Sequence, residues 1–320
     1  MLEVFFTVDV EVWCGGWESL DAKFPDAFRR YVHGPTPRGD YGLPYQLNVF
    51  KDHGLTGVFF VEPLFATRFG LEPLAEIIGL VRGAGQEVQL HLHTEWVDEA
   101  RRPLLPNVFG KRRFLRNFPL DEQRVLIAEG VKLMGQAGAE ALNAFRAGSF
   151  GFNADTLQAL AANGIAFDSS YNASILGLNS GVMPGTVACE PFEWHHVHEY
   201  PMTVFQDGTG SLRHTQLGAC SYRELEGLLW QALEGGRKAF VILSHNFELL
   251  NQAMNRPDNV VVDRFRKLCR LFDRHRDCFR LRGFQDLNPG AVSLQPPPLA
   301  SPLWKTALRI LEQLHRRSYS

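Results

Sequence analysis

Apolar positions along the chain fall into short, nearly continuous runs separated by longer stretches of helical period. The runs are LEVFFTV at the start, TGVFFVE over 56–62, EVQLHLH over 87–93 and AFVILSH over 239–245. Runs of this length and density suit strands buried on both faces of a parallel sheet. Between them, spacing of three and four predicts helices over 73–82, 121–134, 155–163, 222–233 and 258–272. Several open on a capping residue and close near glycine, as in ADTLQALAANG, where Asp155 leads and Gly164 closes. Strand and helix alternate over most of the length, which predicts an α/β fold closed into a barrel.

One break interrupts this pattern. LQPPPLASP, ending at Pro302, reads as a linker or extended strap. After it, LWKTALRILEQLHRR places Trp304, Leu308, Leu311 and His315 on one helical face, with Lys305, Arg309, Arg316 and Arg317 around the rest. The expected division is a barrel over 1–290, a Pro-rich linker over 291–302 and an amphipathic helix over 303–320. Such a helix docks on the barrel or on a second subunit, and a peripheral membrane contact is the alternative.

Composition narrows the function. The 320 residues carry 33 Lys and Arg against 35 Asp and Glu, a net charge of −2, so no overall basic field attracts nucleic acid. The opening MLEVFFTVDVEVW lacks a basic n-region and is interrupted by Glu3, Asp9 and Glu11, unlike a secretory signal. No apolar run reaches the roughly 18 residues of a spanning helix. Cys14, Cys189, Cys220, Cys269 and Cys278 are odd in number and lack CxxC spacing, so they read as free thiols. A cytoplasmic location is expected.

Candidate chemistry gathers at the ends of the predicted strands, where α/β barrels keep their functional groups. Asp9 and Glu11 stand two apart in FTVDVEV, so both carboxylates share one strand face; two acids there repel unless a cation or donor lies between them. The third strand ends LHLHTEW, with His91 and His93 again on one face and Glu95 two further on. A histidine pair with a nearby carboxylate is a common way to hold a divalent metal. Arg146 in AFRAGSFGF either holds a carboxylate in place or caps a helix on the surface. Gly148 and Gly151 suggest a backbone that needs room or positive φ. His245, ending a buried strand in VILSHNFEL, is a general-acid candidate. His195, His196 and His198 in EWHHVHEY read as a loop or edge strand rather than a second metal site. The basic segment with Arg101, Arg102, Lys111, Arg112, Arg113 and Arg116 reads as a solvated loop or as a lid over an anionic substrate.

Taken in order, FTVDVEV, GQEVQLHLHTEW, FRAGSFGF, the DSS tripeptide at Asp168–Ser170 and VILSHNFEL resemble the motifs of the polysaccharide deacetylases, the NodB-homology carbohydrate esterases. The HLHTEW form is most similar to the lipopolysaccharide-biosynthesis branch of the WalW type. The resemblance implies a distorted (β/α)7-type barrel that hydrolyses the N-acetyl or O-acetyl group of a sugar. It implies Asp9 as catalytic base, with Arg146 holding it ionised, and His245 as acid. Glu11 and His91 become ligands of a divalent metal; zinc suits the histidine-rich set best, and a site with two carboxylates also accepts Mn2+, Co2+ or Ni2+. His93 and Glu95 compete for the third position, because the family's second histidine stands at i+4, where this chain has Glu95. Trp13, Trp17, Phe150 and Ser149 are the candidate substrate contacts. The implied partner is an acetylated sugar, lipid- or nucleotide-linked in the cytoplasm. The altered histidine motif leaves a non-catalytic scaffold as the rival reading, and related barrels suggest an amidohydrolase of small non-sugar amides.

Overall fold

The computed structural model describes residues 1–107, 110–289 and 294–318; the start of the Pro-rich stretch, residues 319–320 and the side chains of Arg317 and Ser318 lie outside them. Nine strands form one curled sheet: β1 (Leu2–Val10), β2 (Val58–Val61), β3 (Glu87–Leu92), β4 (Ala144–Ala147), β5 (Phe167–Asp168), β6 (Phe192–Trp194), β7 (Val197–Glu199), β8 (Ala239–His245) and β9 (Phe279–Leu281). Their order is β8-β1-β2-β3-β4-β5-β7-β6, with β9 beside the first half of β1. All pairings are parallel except the β6–β7 edge hairpin.

The side between β7 and β8 is closed by the chain that follows β7. The amide of Met202 bonds Tyr171, Thr215 bonds Thr203, and residues 215 and 217 exchange backbone hydrogen bonds with Leu243 of β8. The result is a distorted (β/α)7-type barrel, with a C-terminal helix at Leu303–Ser318.

The period of two sorts each strand into an outer and an inner row. On β1, Val4, Phe6, Val8 and Val10 join the outer core under the helices, while Phe5 joins a separate inner core with Val58, Phe60, Ala144, Val241 and Leu243. The inner rows carry polar residues at the C-terminal strand ends: Thr7 and Asp9 on β1, His91 on β3, Arg146 on β4 and His245 on β8. The apolar inner core thus floors a polar mouth.

Helices at Glu72–Gly83, Leu120–Gln136, Ala154–Ala162, Tyr222–Glu234 and Asn259–Arg274 match the predicted ones within a few residues. One cap differs. Asn153, not Asp155, closes the box at Ala154–Ala162, accepting from the amide of Thr156 while the Thr156 hydroxyl accepts from its own amide. The C-terminal helix also departs from expectation, since it docks by its polar face. Arg309 and Thr306 are 4% and 1% exposed, while Trp304 and Leu311 are 56% and 62% exposed. Ion pairs from Arg309 to Asp207 (2.7 Å), Glu312 to Arg264 (2.6 Å) and Arg316 to Asp258 (2.6 Å) hold it. These partners sit on distant elements, so no local period could announce them.

Candidate metal centre and its surroundings

Glu11 lies just beyond β1, and its side chain meets both histidines. Its Oε1 is 3.1 Å from Nε2 of His91 and 2.9 Å from Nε2 of His93. The two rings stand nearly perpendicular, 4.8 Å apart. The other nitrogen of each ring is already engaged. Nδ1 of His91 is 2.7 Å from the carbonyl oxygen of Arg146, and Nδ1 of His93 is 3.2 Å from Oε2 of Glu95. A carbonyl at Nδ1 requires the proton there, which leaves Nε2 of His91 with a free lone pair. Glu95 therefore stands behind His93, on the ring edge opposite Glu11. It sits in the turn at Thr94–Glu99 rather than on the strand.

The remaining oxygen of Glu11, Oε2, accepts from the indole Nε1 of Trp13 at 2.6 Å. That ring also packs edge-on against His93 at 4.7 Å. Trp13, expected as a sugar platform, thus contacts Glu11 and His93 as well as lining the cleft.

Electrostatics point the same way. Burial opposes the charged form of His93, but the carboxylates of Glu11 and Glu95 outweigh it and push the imidazole up to about 10. Burial likewise opposes ionised Glu11, yet His93 and His91 hold it well below the usual carboxylate range. The cluster is built around a positive charge. Glu11, His91 and His93 each offer one ligand atom, all within 4.8 Å of one another. Two imidazole nitrogens and one carboxylate oxygen beside an open cleft, each imidazole braced from behind, fit a three-ligand divalent centre with an open position.

Asp9 lies beside this group, its Oδ2 3.9 Å from Nε2 of His91. Its Oδ1 accepts from Nη1 of Arg146 at 2.7 Å. Arg146 is fully buried; it also donates to Thr7 and to the hydroxyl and carbonyl of Ser169, and its guanidinium lies over Phe60. Of the two readings of Arg146, surface cap and carboxylate holder, the second describes its surroundings. On the adjacent strand, His245 pairs in register with Asp9. Its Nδ1 is 3.3 Å from Oε2 of Glu248, whose other oxygen accepts from the amide of Gly218 and the side chain of Gln216. Burial opposes a charged His245, but Glu248, then Glu11 and Asp9, push it up to about 9.

The cleft over these groups encloses about 580 Å³ and is walled by Trp13, Phe114, Phe150 and Ile175, with Arg113 at its edge. Ser149 and Phe150 carry the positive φ of the arginine segment, 52° and 56°. The neighbouring glycines are there for room instead. A Cβ on Gly148 would lie 2.6 Å from the carbonyl of Leu92 and 2.7 Å from Nδ1 of His93; one on Gly151 would lie 2.5 Å from Phe114. Ser149 Oγ accepts from Arg113 at 3.3 Å. Lys111 is spent locally on Asp98, Glu99 and the face of Trp17. Within the basic segment, it is Arg113 that lines the cleft.

The remaining motifs are structural in their contacts. Asp168 and Glu199 are opposite each other on β5 and β7, both fully buried. Burial and their mutual repulsion push Glu199 well up, so the pair shares a proton, while Ser170 bonds Asp168 and accepts from the amide of Ala147. His195 and His196 turn the β6–β7 hairpin with φ of 51° and 65°.

Sequence reading missed three groups. Glu248 orients His245. Glu62 follows β2, accepts from the amides of Leu64 and Phe65, and is pushed up to about 8 by burial, against the pull of His93. His214 lines the cleft, and burial pushes its imidazole down. An acid ending an otherwise apolar strand was the available signal for Glu62, and a carboxylate three residues after a strand-end histidine was the one for Glu248.

No protein-family model matches the sequence, and no curated protein matches it. Among solved structures, a candidate polysaccharide deacetylase from Mycobacterium smegmatis aligns with a TM-score of 0.54 at 18% identity, over 93% of this chain and 95% of that one. A family 4 carbohydrate esterase from Streptomyces lividans, in complex with acetate, aligns at 0.42 and 14% identity over 94% and 97%. A family 4 pseudoenzyme from Bacillus anthracis aligns at 0.42 and 12% identity over 87% and 62%. The first of these likenesses establishes that the chain has the polysaccharide deacetylase barrel fold.

Proposed function

We propose that the chain is a metal-dependent hydrolase that removes the acetyl group of an N-acetylated or O-acetylated sugar. One observation carries the reading. Glu11, His91 and His93 converge on one point, with Arg146-bound Asp9 and Glu248-bound His245, in-register neighbours on adjacent strands, beside it. In this reading Glu11, His91 and His93 hold the ion, and Glu95 orients His93 from behind. Zinc suits the two imidazoles, and the carboxylate-rich surroundings also accept Mn2+, Co2+ or Ni2+.

A bound divalent ion supplies Lewis acidity to the acetyl carbonyl and acidifies water. Asp9, paired with and aimed by Arg146, takes the water's proton. His245, kept charged by Glu248, donates to the departing amine or alkoxide oxygen. Trp13 and Phe150 wall the space for the sugar ring, and Ser149 stands at its edge with Arg113. The chemistry falls within the barrel proposed over 1–290, with the linker over 291–302 and the helix over 303–320 outside it.

The finer placement, in cytoplasmic surface-polysaccharide or lipopolysaccharide assembly, rests on the HLHTEW resemblance. Arg113 at the cleft edge would suit the phosphate of a lipid- or nucleotide-linked precursor. Acetate release measured from N-acetylhexosamine polymers, nucleotide sugars and lipid-linked sugars tests both levels. Acetate from at least one sugar is expected; release only from small non-sugar amides would replace the reading with an amidohydrolase.

A further inference from the structure

The C-terminal helix turns its apolar side away from the barrel. Leu303, Trp304, Leu308, Ile310, Leu311 and Leu314 are 40–63% exposed, and they are six of the eleven large apolar side chains found exposed among the described residues. Scattered surface leucines are ordinary, but a contiguous stripe along 16 residues, about 24 Å of helix, is an interaction surface. The docked side explains the orientation. Arg309, Glu312 and Arg316 are held by partners on the barrel, so the polar face is occupied and the apolar face is left over.

Both ends of the stripe are cationic. Lys305 lies beside Trp304 at one end. At the other, Trp304, Leu308, Leu311 and His315 follow one line, and His315 opens onto a cavity of about 400 Å³ that Arg38, Arg256 and Arg316 also line. The side chains of Arg38 and Arg256 are exposed and make no ion pair among the described residues. Asp258, the one acid lining that cavity, is engaged by Arg316 and by the amides of Val260 and Val261.

We propose that this helix seats the protein on an anionic lipid bilayer, with the apolar stripe in the acyl boundary and the Arg38–Arg256 cavity against a lipid phosphate. Charge decides between this and a second copy of the chain. Because both helix ends are basic, pairing two copies along the stripe sets cation against cation in either orientation, whereas anionic headgroups complement both ends. Trp304, apolar with one N–H, suits the headgroup level. The helix also touches the catalytic end of the barrel. Arg316 donates to the carbonyl of Gly218, whose amide bonds Glu248, the partner of His245. A seated helix therefore holds the cleft's end of the barrel close to the lipid surface.

The test is co-sedimentation of the full chain with vesicles, read without any activity measurement and so independent of the proposed hydrolysis. Binding is expected to phosphatidylcholine vesicles containing about one third phosphatidylglycerol, weakening with salt, and not to pure phosphatidylcholine. Leu308→Glu with Leu311→Glu is expected to lower binding at least tenfold at an unchanged melting temperature, because both positions are exposed. Arg38→Glu with Arg256→Glu is expected to do the same, and it is the deciding pair if the leucine variant melts early. Absence of binding to anionic vesicles overturns the proposal. So does a dimer in sedimentation velocity that the leucine variant dissolves, which would give the stripe to a second copy.

Discussion

Oε2 of Glu248 receives both the backbone amide of His245, at 2.9 Å, and faces its Nδ1 at 3.3 Å. One carboxylate thus fixes the position, the tautomer and the charge of the imidazole at the cleft. His245 titrates at about 9 in this setting, against an ordinary value of 6.5. If protonated His245 is the working acid, activity falls as pH rises through its pKa. Glu248→Gln keeps the shape but removes the charge. The alkaline limb of the rate profile is then expected to move down by roughly one to two pH units, toward the ordinary imidazole value. A limb that stays in place would assign that ionisation to another group.

Trp13 is expected to act through Glu11. Trp13→Phe keeps an aromatic ring against His93 but deletes the N–H that meets Oε2 of Glu11. Loss of such an orienting bond typically weakens metal binding roughly 10- to 100-fold. Calorimetric titration of zinc into the stripped protein reads this directly, and an unchanged affinity would return Trp13 to the role of a sugar platform alone.

Much of this arrangement was legible in the sequence, because period two is a strong constraint. Once LEVFFTV and EVQLHLH were strands, Asp9 with Glu11 and His91 with His93 had to share faces, and the buried outer rows left the inner face as the one direction available. What the sequence did not carry were partnerships set by closure of the barrel. Glu248 bonds His245, and Glu62 acts electrostatically on His93, from elements whose neighbours are known only once the sheet curls. Glu95 looked like a rival ligand because spacing alone does not say which edge of the His93 ring it meets. The C-terminal helix shows the limit most clearly. Its two faces were readable, but which face is buried depends on Asp207, Arg264 and Asp258, far away in the chain.

The buried Asp9–Arg146 pair is expected to be costly to break. Arg146→Met leaves the Asp9 carboxylate in a buried site without its cation, a change worth about 3–5 kcal/mol of stability. Adding Asp9→Asn is expected to return part of that loss, so the two effects are not additive. Urea denaturation of the four proteins reads the coupling; strict additivity would mean that the pair does not act as a unit.

The docking of the C-terminal helix carries its own pH signature. Burial opposes ionised Asp207, but Thr209, Arg309 and the amide of Ser211 hold it down at about 2, from 3.8. A lowered carboxylate stabilises the fold above its unfolded pKa and loses that contribution as pH falls toward the folded one. The loss is expected between about pH 4 and pH 2 and is on the order of 2 kcal/mol. Asp207→Asn is expected to be destabilised at neutral pH, because Arg309 is then left, among the described residues, with Glu224 at 3.4 Å, and to lack this acid-linked part. Melting curves across that range check both statements.

The most direct test of the proposed centre is the metal content of the purified protein beside that of His91→Ala, by elemental analysis, with acetate release followed in the same samples. Close to one divalent ion per chain is expected in the unaltered protein and little in the variant, with acetate release lost along with the ion while the fold's melting transition persists. Sustained acetate release from protein that holds no metal would contradict it.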